Sequence, residues 1–437
     1  MSKNYGARQI VGWIVLIAIA LIPAFLWYFL GDGNTQLVDY ASITHSLGEL
    51  FGLVGMTLFS LTFVLSTRIN DIEDIFGGLD KVYIVHGILG GSALILLLFH
   101  PIFLVLKFIP SNVQLAAAYL LPSSYWSVNF GIIALMGLLI LVYITLYTKM
   151  KYNNWKYTHE FLGLIFIFAV FHIFMVRGTV SQDNIFPGYY VYAAIVSAIG
   201  LFAFSYSLFL KNRLKKNATY TIASIKKTRD VFALELTPEH KPLEYESGQF
   251  IFIRFYNKQL STEAHPFSIA SASNAQTIKV VIKKLGDFTS ELETLHVGDR
   301  VSIEGPYGRF HYKNYPHHEQ VWIAAGIGIT PFIGMAEDLE KHTEAKAILF
   351  HSANDKSEFF GKDIFGNIKS KNFTYTPWNS KEKGRISVES IKERLGDIKG
   401  KEFLICGSQG FKNNILQQLN EEGIKNKNIH EEAFDFR

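Results

Sequence analysis

A single cysteine, Cys406, stands in a chain of 437 residues. An intramolecular disulfide is therefore excluded, and so is a zinc site built of cysteines. The net charge is only +4, which gives no support for nucleic acid as a partner. The sequence shows no internal repeat and no low-complexity tract. No cleavable signal peptide is expected, because the first apolar run is too long for an h-region and has no small-residue cleavage site. What it has instead is a contrast between halves. Apolar runs dominate the first 210 residues, and the remainder is mixed, charged and turn-rich. The length exceeds what one compact domain holds, so the contrast reads as a membrane part followed by a water-exposed part.

Six runs approach the ~20 residues a bilayer requires. They lie near 9–30, 46–67, 82–106, 129–148, 157–176 and 189–210. Glu49 sits near the start of the second, and the fifth is the shortest charge-free run. Lys3, Arg8, Arg68, Lys81, Lys149, Lys151, Lys156 and the run KNRLKK (211–216) all fall on one side, whereas Lys107 and Arg177 fall on the other. The positive-inside rule makes the first side cytoplasmic and puts both termini there. The expectation is a multi-pass protein of the plasma membrane, with lipid around it and short outer loops.

The third run carries His86 and His100, separated by thirteen apolar or small residues, and the fifth carries His159 and His172. Both runs pass from cytoplasm to outside, so the rings fall at two depths, His86 with His159 and His100 with His172. The 14-residue step rises about 21 Å and the 13-residue step about 19.5 Å. Each depth thus offers two imidazoles from neighbouring helices, the axial pair of a six-coordinate haem iron. Two b-type haems with His86, His100, His159 and His172 as metal ligands are expected. At ~100° per residue the 13-residue step turns the helix face by about 220°, so the fifth helix is distorted or the haems are rotated relative to each other. Gly87, Gly90 and Gly91 permit close approach of a macrocycle or of another helix. Pro101 is expected to kink its helix. Arg68 and Arg177 are placed either to meet propionates or to snorkel, and Phe166, midway between the fifth run's histidines, either relays electrons or packs.

After the basic linker the periodicity shortens. TYTIASI, VFALEL, QFIFIRFY, TIKVVIKKL and RVSIEG predict a small antiparallel barrel over 217–318. From 319 strands alternate with helices: VWIAAG, FIGMAEDLEKH, AILFHS, a helix near 357–369, FTYTPW, a helix near 387–395, FLICGS and FKNNILQQLNEEG. That alternation predicts a parallel α/β sheet over 319–437. The expected fold is a six-helix membrane bundle over 1–216, then the β-barrel, then the α/β domain.

The barrel segment holds HPFSIAS (265–271), whose polar ring, rigid Pro-aromatic step and hydroxyl suit a flavin, with Ser268 able to hydrogen-bond it. In KKLGDFTSEL (283–292), Gly286 and Thr289 at a helix start suit a phosphate, and either Lys283 or Lys284 points inward. GPYG (305–308) is a tight turn. AAGIGITP (324–331) ends a strand and opens a helix, the context in which a glycine loop binds a dinucleotide pyrophosphate. CGSQGF (406–411) ends another strand at the same edge, where Cys406 is either a nicotinamide neighbour or a buried strand-end residue. The chain closes on EEAFDFR, whose Phe434 or Phe436 either stacks on a flavin or belongs to a core.

In that order, HPFS, GDFT, GPYG, GIGITP and CG, behind histidines with thirteen and twelve intervening residues, resemble the ferric reductase and NADPH oxidase superfamily over nearly the whole chain. The C-terminal half resembles the ferredoxin–NADP reductase fold. The resemblance implies that His265, Pro266, Phe267 and Ser268 bind FAD. It implies Lys283, Gly286 and Thr289 near the FAD phosphates, and Gly326, Gly328, Thr330, Pro331 and Gly407 at the nicotinamide nucleotide. Ser268, Cys406 and Phe434 are then the groups nearest the reacting rings. Two features depart from the pattern: CGP is CGS here, and Asn354 and Asp355 stand where an arginine often meets a 2′-phosphate. Arg385, in KGRIS, is the substitute, and the choice between NADPH and NADH stays open. With no calcium-binding loop and no large extra cytoplasmic domain, no obligatory regulatory subunit is expected. The expected activity is electron transfer from NAD(P)H through FAD and two haems to external oxygen, giving superoxide. A ferric chelate or an external partner protein are the alternative acceptors, and a four-histidine channel that binds no haem is the alternative outside enzymology.

Overall fold

The computed structural model describes residues 5–30, 38–109, 111–176, 187–211, 218–228, 230–261, 263–315, 319–340, 345–355 and 358–432. The chain divides into two compact units, one built mainly of 8–76 and 81–214 and the other mainly of 215–437.

The first unit is helical, and its helices fall on the apolar runs. They are α1 (Tyr5–Leu30), α2 (Tyr40–Ser66), α3 (Leu79–Leu106), α4 (Trp126–Tyr147), α5 (Tyr152–Glu160 and Leu162–Val176) and α6 (Pro187–Ser205), the last continuing as a π-helical turn over Tyr206–Leu210. Six helices among the described residues are long and apolar enough to cross a membrane. α2 begins at Tyr40, earlier than hydropathy alone places it, because Asp39 and Ser42 form a capping box: Ser42 N donates to Asp39 Oδ1 at 2.8 Å and Asp39 N to Ser42 Oγ at 3.0 Å. Glu49 therefore lies well inside the helix, where it meets His45 one turn back, Nε2 to Oε1 3.4 Å. Polar side chains tie α2 to α6, Ser60 donating to the Val196 carbonyl at 2.8 Å and Thr57 meeting the Tyr192 hydroxyl at 2.9 Å. α3 runs on through Pro101. α5 is interrupted at Phe161, a single turn residue between its two helical pieces.

The second unit begins with a six-stranded antiparallel sheet: β1 (Ala218–Thr228), β2 (Val231–Pro238), β3 (Phe250–Phe255), β4 (Ala264–Ser268), β5 (Ile278–Lys283) and β6 (Arg300–Tyr307), in the order β4-β3-β6-β1-β2-β5. The expected barrel is not closed by a ladder. Among the described residues no ladder joins the edge strands β4 and β5; Ile269, just past β4, makes an isolated bridge to Val280 of β5. The reason lies in β4, which is five residues long and holds Pro266; a residue without an N–H belongs at an edge. The sheet still encloses a core of Tyr220, Ile222, Leu234, Ile253, Phe255 and Val280, each buried to 1% exposure or less.

A five-stranded parallel sheet follows, of order β11-β10-β7-β8-β9. Its strands are β7 (Glu319–Ala325), β8 (Lys346–Ala353), β9 (Phe373–Asn379), β10 (Glu402–Cys406) and β11 (Ile429–Glu431). The connecting helices are α7 (Thr330–Leu339), α8 (Lys362–Asn367), α9 (Val388–Leu395) and α10 (Gln409–Glu421). This is the alternation expected, with α8 shorter than read and β11 added as a three-residue edge strand. Trp322, Phe332 and Leu404 fill one face of the sheet, and Phe350, Phe403 and Ile405 the other.

Candidate functional site

α3 and α5 bring the four histidines together in two pairs. The rings of His86 and His159 have centres 5.9 Å apart at an interplanar angle of 56°. Those of His100 and His172 are 6.1 Å apart at 77°. Three of the rings are aimed by carbonyl groups. Nδ1 lies 3.0 Å from Thr62 O in His86, 2.7 Å from Gly48 O in His100 and 2.7 Å from Ser127 O in His172. A carbonyl only accepts, so each Nδ1 carries the proton and donates it. His159 is held in the same sense: its Nδ1 lies 3.4 Å from Thr145 Oγ1, whose own proton goes to Leu141 O at 2.7 Å. Every Nε2 is left with its lone pair, the form in which imidazole binds a metal. A ligating imidazole nitrogen sits about 2 Å from its metal, which puts the centres of two opposed rings about 6 Å apart. Both pairs fit one metal between them.

The awkward 13-residue step is accommodated at Phe161, two residues after His159, where α5 breaks and resumes. Trp155 braces the first piece, stacking on His159 at 5.3 Å and donating its indole N–H to Thr145 O at 3.2 Å. The glycines that seat the outer-numbered pair escaped the sequence reading. A Cβ on Gly52 of α2 would lie 2.6 Å from His100 Nδ1, and one on Gly131 of α4 would lie 2.7 Å from His172 Nδ1. Gly87 and Gly91 meet nothing within 4 Å, and Gly90 meets only Thr62 Cγ2 at 3.9 Å. They are not packed helix contacts, and a flat ring has room beside them. Phe166 is fully buried against Phe59 and Phe63, so it packs, between the two histidine levels. Arg68 donates from Nε to the Tyr83 hydroxyl at 2.7 Å. Arg177 lies outside the described residues.

In the second unit HPFS forms β4, with Ser268 opposite Phe250 and His265 opposite Ile253. The His265 ring stacks on Phe288 at 3.6 Å, which joins HPFS to the GDFT loop. Phe267 lies edge-on to Phe255. Ser268 is 5% exposed, and its hydroxyl has no hydrogen-bond partner among the described residues. A buried hydroxyl without a partner is costly, and a flavin at this edge would supply one. In the GDFT loop the helix starts at Asp287 rather than at Thr289. The Thr289 hydroxyl organises the loop, accepting from Leu285 N at 2.9 Å and Gly286 N at 3.0 Å. Lys284 is paired with Glu293 at 2.9 Å, and Lys283 makes no ion pair among the described residues, so Lys283 is the available cation.

The glycine loop and the CG motif meet at the carboxyl edge of the parallel sheet, where Cys406 pairs with Ala324. Gly326 has φ +53°, and a Cβ on Gly328 would run into the backbone of Cys406 and Gly407. Thr330 donates to Ile327 O at 3.1 Å, and Pro331 sits at the first turn of α7. Cys406 is fully buried, and burial pushes its thiol well above the usual range, so the sulfur is held as a neutral thiol. Arg385 is exposed, just beyond β9, where Trp378 donates to Gly384 O at 2.9 Å. Asp355, beyond β8, pairs with Lys381 at 3.5 Å. Phe434 and Phe436 lie outside the described residues. The sequence reading passed over Glu432. Its carboxyl is 4% exposed, burial pushes its pKa well above the carboxylate range, and neither oxygen has a hydrogen-bond partner among the described residues. It lies against the GPYG turn, a Cβ on Gly308 falling 3.4 Å from its Oε1.

Three families match successive segments: a ferric reductase like transmembrane component over 51–170, an FAD-binding domain over 214–311, and adenylate-forming reductase 03009, C-terminal domain, over 312–428. A ferric-reductase-like membrane component followed by an FAD-binding domain is consistent with the ferric reductase and NADPH oxidase superfamily. The chain is similar to ferric reduction oxidase 4 of Arabidopsis thaliana, 26% identical over 353 residues, 76% of this chain and 47% of that protein. It is similar to the phenol hydroxylase P5 protein of Acinetobacter pittii, 28% identical over 210 residues, 44% of this chain and 59% of that one. It is also similar to the putative respiratory burst oxidase homolog protein G of Arabidopsis thaliana, 26% identical over 261 residues, 54% of this chain and 29% of that protein. The chain spans about half the length of the first two relatives and less of the third.

Proposed function

We propose that the chain is a membrane-spanning flavocytochrome that draws electrons from NAD(P)H on the cytoplasmic side and delivers them one at a time to oxygen outside a plasma membrane, yielding superoxide. When bound, FAD accepts a hydride and releases single electrons, and each haem passes one electron at a time. The observation that carries this reading is the double histidine pair, with four Nδ1 atoms set on oxygens and four Nε2 left with their lone pairs. His86 with His159, and His100 with His172, would hold the two haems. His100 and His172 would both be engaged in holding the outer haem, which would leave neither imidazole to give way to oxygen. The excess of Lys and Arg on one side supports cytoplasmic termini.

In the C-terminal half, His265, Pro266, Phe267 and Ser268 would line the flavin, the Ser268 hydroxyl finding its partner there. Lys283 and the loop from Gly286 to Thr289 would lie at the FAD phosphates. Gly326 and Gly328 bring backbone close to a dinucleotide, with Thr330, Pro331, Cys406 and Gly407 around them and Arg385 as the cation for a 2′-phosphate. A second reading takes a ferric chelate as acceptor. The match to a ferric reductase like component and the similarity to ferric reduction oxidase 4 over 76% of this chain support it.

The test is cytochrome c reduction by the purified, haem- and FAD-loaded chain with NADPH and with NADH, each with and without superoxide dismutase. Strong inhibition by the dismutase is the expected result. Weak inhibition together with reduction of a ferric chelate at a comparable rate would replace the first acceptor by the second. Absence of a Soret band after loading would overturn the haem reading itself.

A further inference from the structure

We propose a single zinc-type divalent metal site, formed by Glu246, His311 and Asp338, where the antiparallel sheet meets α7 of the parallel one. Glu246 precedes β3, His311 follows β6 and Asp338 lies in the last turn of α7. One ligand atom from each lies within 4.8 Å of the other two. The histidine is 3% exposed and built in. Its Nδ1 lies 2.7 Å from the Ser247 carbonyl oxygen, so the proton is there and Nε2 presents its lone pair. That lone pair lies 3.2 Å from Glu246 Oε2, at an angle that makes no hydrogen bond. Two acceptors so placed repel unless a proton or a cation stands between them, and burial disfavours the charged ring. Two ligands on one tetrahedral zinc ion, each about 2 Å from it, lie about 3.3 Å apart.

The rest of the cluster leaves negative charge over. Ser273 Oγ lies 3.2 Å from Glu246 Oε2 and 2.9 Å from Asp338 Oδ2, but it has one proton for two carboxylates. Ser247 Oγ lies 3.3 Å from Asp338 Oδ2. Lys313 Nζ stands off at 3.6 Å on a side chain 41% exposed, free to swing to water. One ammonium against two carboxylates leaves a net negative charge beside the buried Asp338 and His311, with Glu246 open to water. A divalent cation satisfies it, with water as the fourth ligand. Imidazole among the donors selects zinc over magnesium or calcium, which take oxygen. The site is separate from the membrane histidines and does not depend on the proposed activity. Its effect is mechanical. Asp338 lies on the helix that opens at Thr330 in the glycine loop, and His311 lies just past GPYG, so the ion would fix the nucleotide loop against the flavin-side sheet.

The experiment uses the full chain, loaded with haem and FAD, stripped with a chelator and re-equilibrated with about 10 µM zinc sulfate. Retained zinc is counted by mass spectrometry beside Glu246→Gln and His311→Gln. Glu246 is exposed, so its variant leaves the core intact. The expected result is about one more zinc per chain in the parent than in either variant, with affinity about tenfold or more weaker once one ligand is lost. Zinc should raise the Tm of the parent and not that of Glu246→Gln. Equal zinc in parent and Glu246→Gln, or no retained zinc in the parent, would overturn the site.

Discussion

His100 is held to α2 by a hydrogen bond from its Nδ1 to the carbonyl oxygen of Gly48, 2.7 Å away and 52 residues earlier in the chain. One turn further along α2, Gly52 leaves the ring its space, since a Cβ there would stand 2.6 Å from Nδ1. Donation from Nδ1 to the Gly48 carbonyl and a missing side chain at Gly52 together fix where the lone pair of Nε2 points. Gly52→Ala is therefore expected to turn or displace the ring without removing a ligand. On the proposed haem reading, the haem that His100 and His172 would hold should be lost or become high-spin, while the one that His86 and His159 would hold stays. The pyridine haemochrome ratio and low-temperature electron paramagnetic resonance read both outcomes. Two low-spin haems of unchanged potential in Gly52→Ala would count against this seating of His100.

On the proposed function, nucleotide choice would rest on the edge beyond β8 and β9. Asp355 already neutralises Lys381 across 3.5 Å, which leaves Arg385 as an exposed cation at that edge. A guanidinium suits a 2′-phosphate because its fork matches the oxygens. Arg385→Ala should raise the KM for NADPH by about tenfold, the cost of one charge-assisted contact of about 1.5 kcal/mol, and leave the KM for NADH unchanged. Steady-state kinetics with both nucleotides decide it. An equal rise for both would assign Arg385 a structural role.

The features most legible in the sequence were those that one segment decides alone. An apolar run of twenty residues reads from its own length and composition as a helix long enough to span a bilayer, and the six runs correspond to α1 to α6. The histidine steps on α3 and α5 place rings at two levels by helix rise alone. Features decided by distant pairing were not legible. WKYTHEFLG carries no breaker at Phe161, yet α5 is interrupted there. β4 is too short, with Pro266 inside it, to show alternation, so its place at the sheet edge and the unclosed ladder to β5 could not be read. β11 has three residues and forms only because β10 lies beside it. Gly52, Gly131 and Glu432 matter through what faces them, and no local pattern names a neighbour 40 or more residues away.

Glu432 carries a pH signature. Its carboxyl is buried, and desolvation raises its pKa well above the ordinary value of 4.5. The folded chain thus prefers the protonated acid more than the unfolded chain does. Stability from this preference is fully present below the unfolded pKa and is lost as pH rises through the folded one. Glu432→Gln keeps the shape of the neutral acid and cannot ionise. Its Tm should match the parent's near pH 5 and exceed it increasingly toward pH 8. Parallel Tm curves for parent and variant over that range would show that the carboxyl is not held neutral.

His351 has the opposite sign and a defined window. It is fully buried on β8, its Nδ1 lies 3.1 Å from the Tyr375 hydroxyl, and burial lowers its pKa from 6.5 to about 4. A base with a depressed folded pKa binds fewer protons than its unfolded form between those two values. Its contribution is therefore present above pH 6.5 and lost as pH falls toward about 4. At about 1.4 kcal/mol for each tenfold in proton affinity, the full loss is on the order of 3 kcal/mol. His351→Gln retains a polar partner for Tyr375 and removes the titration, at the cost of a smaller side chain in the core. The variant should be less stable than the parent at pH 7.5, and its deficit should shrink as the pH is lowered to 5. Thermal unfolding at pH 7.5, 6 and 5 measures that convergence, and a deficit that stays constant would mean the ring titrates alike in the folded and unfolded chains.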